Sequence, residues 1–237
     1  MLSDKPWRVE AVMLFCAAQF VCLAAGLTLI GLLQKAGLVA FQPPDGFGAV
    51  LLVTLSFQGA AWLLIWIFLR LHQMDWRDAF GLRGKNLPRA LLAALAVVIV
   101  ILPVALLLEN GSAVVLEKIG WPPEDEAAVR LLTNAQSPGL LVYLGFFAVV
   151  LAPVAEEFIF RGMLYPFVKQ LGWPRLALFG VGLLFAVIHL DAAIFVPLFV
   201  LALALTWLYE FTDNLLAPIA AHSLFNTANL VILLSQK

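Results

Sequence analysis

Uncharged, apolar stretches alternate with short polar connections along the whole chain. Seven stretches contain no Asp, Glu, Lys or Arg: residues 11–34, 46–69, 90–108, 131–155, 176–190, 192–209 and 214–236. A helix needs about 20 mostly apolar residues to cross a bilayer, and most of these stretches approach or exceed that length. The pattern predicts an all-α fold, a polytopic bundle of seven transmembrane helices. An eighth is allowed among the connections, and one integral-membrane domain is expected over residues 1–237.

The composition supports a membrane protein. Hydrophobic residues make up 63% of the chain and charged residues 12%, and the mean hydropathy is +1.00. A soluble domain carries roughly 25% charged residues. The net charge of −1 argues against a nucleic-acid partner, so the expected surroundings are the lipid bilayer. Cys16 and Cys22 both lie in the first stretch and are interpreted as apolar fillers. Nothing in the sequence indicates an oligomeric state.

Basic and acidic residues occupy different connections. Residues 70–89 hold five Lys or Arg. In residues 109–130 most of the charged residues are acidic, and they include an acidic segment at 122–126. Lys and Arg are enriched in cytoplasmic loops, so this asymmetry predicts a cytoplasmic N-terminus in a multi-pass protein of the plasma (inner) membrane. The connections predicted to lie inside then hold ten basic residues: Lys5, Arg8, Arg70, Arg77, Arg83, Lys85, Arg89, Arg161, Lys169 and Arg175.

Two adjacent acids, Glu156 and Glu157, follow the fourth stretch directly, and Arg161 comes one helical turn later. Ionisable groups at membrane depth are costly, so by default they are paired or functional. On a helix Glu157 and Arg161 share a face in the favourable order, which predicts an ion pair. Glu156 points about 100° away from that pair and is the candidate general base for water. An interfacial charge cluster at the inner end of the span is the alternative.

Phe185 and His189 lie four residues apart in the fifth stretch and share a helical face. The phenyl ring is expected to cover one side of an imidazole that can act as acid, base or ligand. A polar helix end, with Asp191 just beyond, is the alternative. His189 comes late in this stretch, which places it near the outer surface unless the stretch begins deep or the turn at Leu190 and Asp191 is buried.

His222 and Asn226 form a third pair with the same spacing, in the last stretch. Both side chains can donate hydrogen bonds to a developing oxyanion. Asn also joins neighbouring membrane helices, so helix packing is the alternative. Three pairs of polar or aromatic residues thus lie in or directly after apolar stretches, each pair on one helical face, and together they predict a catalytic cavity within the bundle.

These residues resemble the CPBP intramembrane proteases, also called the Abi or type II CAAX-protease family. That family carries Glu-Glu-x-x-x-Arg, then Phe-x-x-x-His, then His-x-x-x-Asn or Asp on successive membrane helices. The resemblance covers roughly residues 140–230, so the motif-bearing core is taken as about 138–235. It implies an enzyme, an intramembrane endopeptidase that cleaves a peptide or protein substrate reaching the membrane.

The resemblance also implies roles for the residues. Glu156 and His189 would activate water, and His222 and Asn226 would hold the oxyanion. Glu157, Arg161 and Phe185 would be supporting residues.

No cofactor is expected, and a glutamate-activated water is favoured over a metal. Zinc is the alternative, with Glu156, His189 and His222 as its ligands, because catalytic zinc takes three protein ligands and a water. The chain has no His-Glu-x-x-His helix to support that alternative. Two other functions stay open. One is a proton-coupled carrier, and the other is a non-catalytic scaffold or immunity protein.

Overall fold

The computed structural model describes residues 2–38, 47–82, 87–121, 127–135 and 137–235. These residues form helices and their connections, which confirms the all-α prediction. The nine helices of the described residues are α1 Val9–Lys35, α2 Gly48–Leu71, α3 Trp76–Ala79, α4 Leu87–Lys118, α5 Ala127–Asn134, α6 Pro138–Gln170, α7 Pro174–Val187, α8 Phe195–Thr212 and α9 Leu216–Ser235.

Six of the described helices are long and apolar enough to span a bilayer: α1, α2, α4, α6, α8 and α9. The protein is therefore a multi-pass membrane protein. The fifth uncharged stretch corresponds to α7, which has 14 residues and is about 21 Å long. Because a bilayer core is about 30 Å thick, α7 does not cross it alone. The prediction of seven full spans is corrected to six spans and one shorter apolar helix.

Residues group into two compact units, which are described separately. The N-terminal unit comprises residues 7–74 and 126–155, and the C-terminal unit comprises residues 1–6, 75–125 and 156–237. The prediction of one domain over 1–237 is not tested by this grouping. In the N-terminal unit α1 packs on α2, and Gln19 Nε2 donates a hydrogen bond of 2.9 Å to the carbonyl of Phe57. That carbonyl lies in a π-helical turn of α2, Leu55–Gly59.

Helices α4, α8 and α9 form the core of the C-terminal unit. Small side chains on α4 meet leucines of α8 and small or aromatic side chains of α9, and small residues let membrane helices approach closely. The buried members are Ala90, Ala94, Val98, Ala105, Leu201, Leu205, Leu208, Ala217, Ala221 and Phe225. This packing positions the face of α9 that carries His222.

Several connections of the C-terminal unit meet at one end of its helices. The backbone N–H of Leu2 donates to Glu210 near the end of α8, and Lys169 near the end of α6 pairs with the same carboxylate. The N–H of Leu215, just before α9, donates to the carbonyl of Phe80. The predicted topology assigns all of these segments to the inside. Which side of the membrane they face, and the choice of plasma membrane, stay predictions.

The charge count behind that topology needs one correction. Arg161 was counted with the inside charges, but the structure buries it within α6, where 1% of the residue is exposed. Arg83, Lys85 and the acidic segment 122–126 lie outside the described residues.

Candidate active site

The two adjacent acids lie within α6 and not at its end. α6 continues from Glu157 for 13 residues to Gln170, which is about 20 Å of helix. The helix therefore does not end where the uncharged stretch ends. The helix is π-helical over Phe158–Leu164, directly after the acids. Such π-helical turns occur frequently at functional sites.

The length of α6 explains how His189 reaches the acids. α6 and α7 form a hairpin through residues 171–173. Arg161 and Phe185 lie about 14 and 17 Å from this turn along their helices, so they are at a similar depth. Their side chains are in contact, with the Arg161 guanidinium carbon 4.6 Å from the Phe185 ring centre. The fifth stretch therefore begins beyond the acids and returns to them. Burial of the following turn does not explain the depth, since Leu190 is 90% exposed.

Arg161 connects three helices. Its Nη1 donates to Oε1 of Glu157 at 2.8 Å, which confirms the predicted ion pair. Its Nη2 donates to the backbone carbonyl of Ala202 on α8 at 3.1 Å. The Phe185 ring of α7 covers the guanidinium group, an arrangement that attracts a cation to the face of an aromatic ring. These contacts compensate a charge that is almost fully buried.

Glu157 is also bound to His222, so the first and third motifs meet. Nδ1 of His222 lies 2.9 Å from Glu157 Oε1, the oxygen that accepts from Arg161. Because a carboxylate accepts hydrogen bonds, Nδ1 carries the hydrogen. The other ring nitrogen, Nε2, lies 3.9 Å from Oε2 of Glu156. That separation is too long for a direct hydrogen bond.

His189 is held by the backbone of its own motif. Its Nδ1 lies 2.7 Å from the carbonyl oxygen of Phe185. A carbonyl only accepts, so the hydrogen is on Nδ1 and the neutral ring presents Nε2 as its basic nitrogen. The Phe185 ring lies between the two imidazoles, with centres 5.0 Å from that of His189 and 5.7 Å from that of His222.

Exposure separates the site residues into two groups. Glu157, Arg161, Phe185 and His222 are buried, whereas Glu156, His189 and Asn226 are of intermediate exposure. Asn226 lies one turn after His222 on α9. The accessible residues include both candidates for water activation, and the buried ones hold them in place.

Two parts of the site were not predicted from the sequence. One is the contact between Glu157 and His222, which are 65 positions apart. The other is the carbonyl of Ala202, which also accepts a hydrogen bond of 2.9 Å from the Thr206 hydroxyl. A backbone acceptor has no signature in the sequence. The hint that the sequence offered was Thr206, a polar residue one turn later, which indicated that α8 contributes to a polar region.

The zinc alternative requires three protein ligands that converge on one point. Within the described part of the chain, no three His, Cys, Asp or Glu side chains converge in an arrangement that could hold a metal ion.

Two buried polar atoms of the site, Oε2 of Glu157 and Nε of Arg161, have no hydrogen-bond partner among the described residues.

The fold and the site together define a polytopic membrane protein with a polar cluster at the meeting point of four apolar helices. The family model described as type II CAAX prenyl endopeptidase Rce1-like matches residues 138–228, which include every site residue named above. This part of the chain is therefore similar to the type II CAAX proteases. No curated protein and no solved structure matches the chain.

Proposed function

We propose that this protein is an intramembrane endopeptidase that hydrolyses peptide bonds with a water molecule activated by Glu156. The observation that carries the proposal is the meeting of both acids with His222, at 3.9 Å from Glu156 and 2.9 Å from Glu157. The similarity of residues 138–228 to the type II CAAX proteases also supports it.

The contacts divide the work between the two acids. Glu157 is completely buried and binds Arg161 and His222 through one oxygen, so its role is to hold them. Glu156 keeps 13% of its side chain exposed. A general base must reach the proton that it removes, and only Glu156 of the two has an accessible side chain.

The proposed reaction begins when Glu156 takes a proton from water and the resulting hydroxide attacks the carbonyl carbon of the scissile peptide. The carbonyl oxygen becomes an oxyanion, and the proton then moves to the leaving amine nitrogen as the carbon–nitrogen bond breaks. His189 assists this proton movement through Nε2, because Nδ1 is committed to the Phe185 carbonyl.

His222 and Asn226 are proposed to bind the oxyanion. The Glu157 carboxylate orients the His222 ring by accepting from Nδ1, which leaves Nε2 for the oxyanion. A protonated ring offers Nε2–H as a donor, and the Asn226 amide supplies a second donor one turn away. Removing one oxyanion donor typically costs about 100- to 1,000-fold in kcat.

Replacement of Glu156 by Gln tests the proposal most directly. Glu156→Gln keeps the size and polarity of the side chain and removes the base, so we expect a folded protein without cleavage activity. The reporter is an internally quenched farnesylated CAAX peptide, with its unprenylated counterpart in parallel, and the protein is reconstituted in lipid vesicles. Glu117→Gln is the control, since Glu117 is exposed on α4.

Full turnover by Glu156→Gln contradicts the proposed base. Absence of wild-type cleavage of both reporters refutes a CAAX-type specificity and favours the carrier or the scaffold.

Zinc is tested by metal analysis of the purified protein and by activity after chelation. Stoichiometric zinc with chelator-sensitive cleavage contradicts the metal-free mechanism.

A further inference from the structure

The connection before α4 brings an aromatic residue against the catalytic segment of α6. Asp75 caps the short helix α3, its Oδ2 accepting from the N–H of Arg77 at 3.3 Å. Phe80 follows this helix and is fully buried. Its ring packs edge-on against that of Phe158, with ring centres 4.6 Å apart. Phe158 is the residue directly after Glu157, so Phe80 contacts the start of the π-helical turn.

Gly162 provides the space that the Phe80 ring fills. A Cβ atom placed on Gly162 would lie 2.8 Å from Cε1 of Phe80. Real Cβ atoms essentially never make so close a contact, so even alanine forces the ring or the helix to move. Gly162 directly follows Arg161, and the ring therefore contacts α6 beside each member of the ion pair, next to Glu157 and next to Arg161.

The backbone of the same connection is attached to the beginning of α9. The carbonyl of Phe80 accepts from the N–H of Leu215 at 3.0 Å. The next residue, Gly81, has a φ of +66°, and a Cβ atom there would lie 1.9 Å from the carbonyl oxygen of Asp213. Only glycine fits this position. His222 lies seven residues after Leu215, about 10 Å along the chain at helical rise.

We infer that Phe80 and Gly81 act as a wedge that sets the spacing between α6 and α9, and thereby keeps Glu157 within hydrogen-bond distance of His222. One side of the wedge, the Phe80 ring, contacts α6. The other side, its backbone, is attached to α9. Phe80 is thus a positioning residue for the proposed reaction, although it lies outside the family-matched residues 138–228. The inference rests on the proposed function.

A first experiment tests the wedge without an activity assay. The chain has three histidines, so isotope-labelled histidine in the full-length protein gives ring signals that single substitutions can assign. The Nδ1 proton of His222, bound to a carboxylate, should resonate far downfield. We expect Phe80→Ala and Gly162→Ala to shift or remove this signal, while Phe80→Leu preserves it. An unchanged His222 signal in a folded Phe80→Ala protein overturns the inference.

A second experiment measures cleavage of the same quenched CAAX peptide. We expect Gly162→Ala to lower kcat by ~10- to 100-fold with little change in KM, since misplacement by about 1 Å has an effect of this size. Adding Phe80→Leu to Gly162→Ala should restore most of the loss, because the smaller side chain makes room for the methyl group.

Matched controls separate positioning from general loss of structure. Gly111→Ala adds a methyl group to α4 where no atom lies within 4 Å apart from the adjacent residues and the local helix backbone. Phe179→Ala removes an exposed ring from α7. Both should retain wild-type kcat. Failure of Phe80→Leu to rescue Gly162→Ala contradicts the wedge. Failure of the wild type to cleave the reporter refutes the CAAX-type specificity instead, and the histidine signal still decides the wedge.

Discussion

The buried arginine of α6 offers the most decisive stability experiment. Arg161→Met keeps an unbranched side chain of similar length and removes the guanidinium group. It deletes the hydrogen bonds to Glu157 and to the carbonyl of Ala202, and the contact with the Phe185 ring. Glu157, which is completely buried, is left with the hydrogen bond from His222.

The magnitude follows from the orphaned carboxylate. Breaking a buried ion pair by removing one partner costs about 3–5 kcal/mol, mostly because the remaining charge is uncompensated. The hydrogen bond from His222, which is 2.9 Å long in the wild type, remains available to the Glu157 carboxylate. We therefore expect the lower end, about 3 kcal/mol, for Arg161→Met. The double variant Glu157→Gln with Arg161→Met removes both charges and should lose less than the sum of the single variants. A coupling free energy of about 2 kcal/mol or more is expected, within the range for residues in direct contact.

The assay is equilibrium unfolding of the reconstituted protein by steric trapping or by denaturing detergent, applied to the wild type, both single variants and the double variant. Arg70→Met is the control, because Arg70 is exposed at the end of α2. A loss below about 1 kcal/mol for Arg161→Met would mean that the pair behaves like an exposed salt bridge. Additive effects in the double variant would equally refute the reasoning.

Two further predictions concern polar contacts outside the catalytic cluster. Asp191→Ala should destabilise the start of α8 by about 1 kcal/mol, because Asp191 Oδ1 accepts from the backbone N–H groups of Ala193 and Ile194 at 2.8 and 3.4 Å; Asp191→Asn should retain most of that stability in the same unfolding assay. The Tyr143 hydroxyl donates to Thr54 Oγ1 at 2.8 Å. Tyr143→Phe should therefore lower the stability of the N-terminal unit by about 0.6 kcal/mol, the average for a hydrogen bond between membrane helices. A double-mutant cycle with Thr54→Val checks the second prediction, and zero coupling would contradict it.

The sequence was enough to predict a membrane protein and three pairs of residues that each share a helical face, because both predictions depend on local properties. Apolar content decides whether a stretch can lie in lipid, and a spacing of four decides which side chains share a helical face. The ion pair of Glu157 with Arg161 needed no more than that. The spacing also separated Glu156 from this pair correctly, and the structure shows Glu156 as the more accessible acid.

The limits of the spans could not be read in the same way. Because ionised groups are costly in lipid, the charges at Glu156, Glu157 and Arg161 were interpreted as the end of a span. The structure continues α6 through them, since the Arg161 charge is compensated by a carboxylate and by the carbonyl of Ala202 on another helix. A carbonyl 41 positions away leaves no trace in the local pattern.

Tertiary structure alone decided that these helices form one site. Three features join segments that are distant in the chain. Glu157 contacts His222, α7 returns to the depth of Arg161, and the Phe80 ring packs against Gly162. The sequence by itself determined which side chains were available and which face of a helix each occupies. Which faces meet depends on how helices pack, and packing depends on the shapes of many side chains together and on no single periodicity.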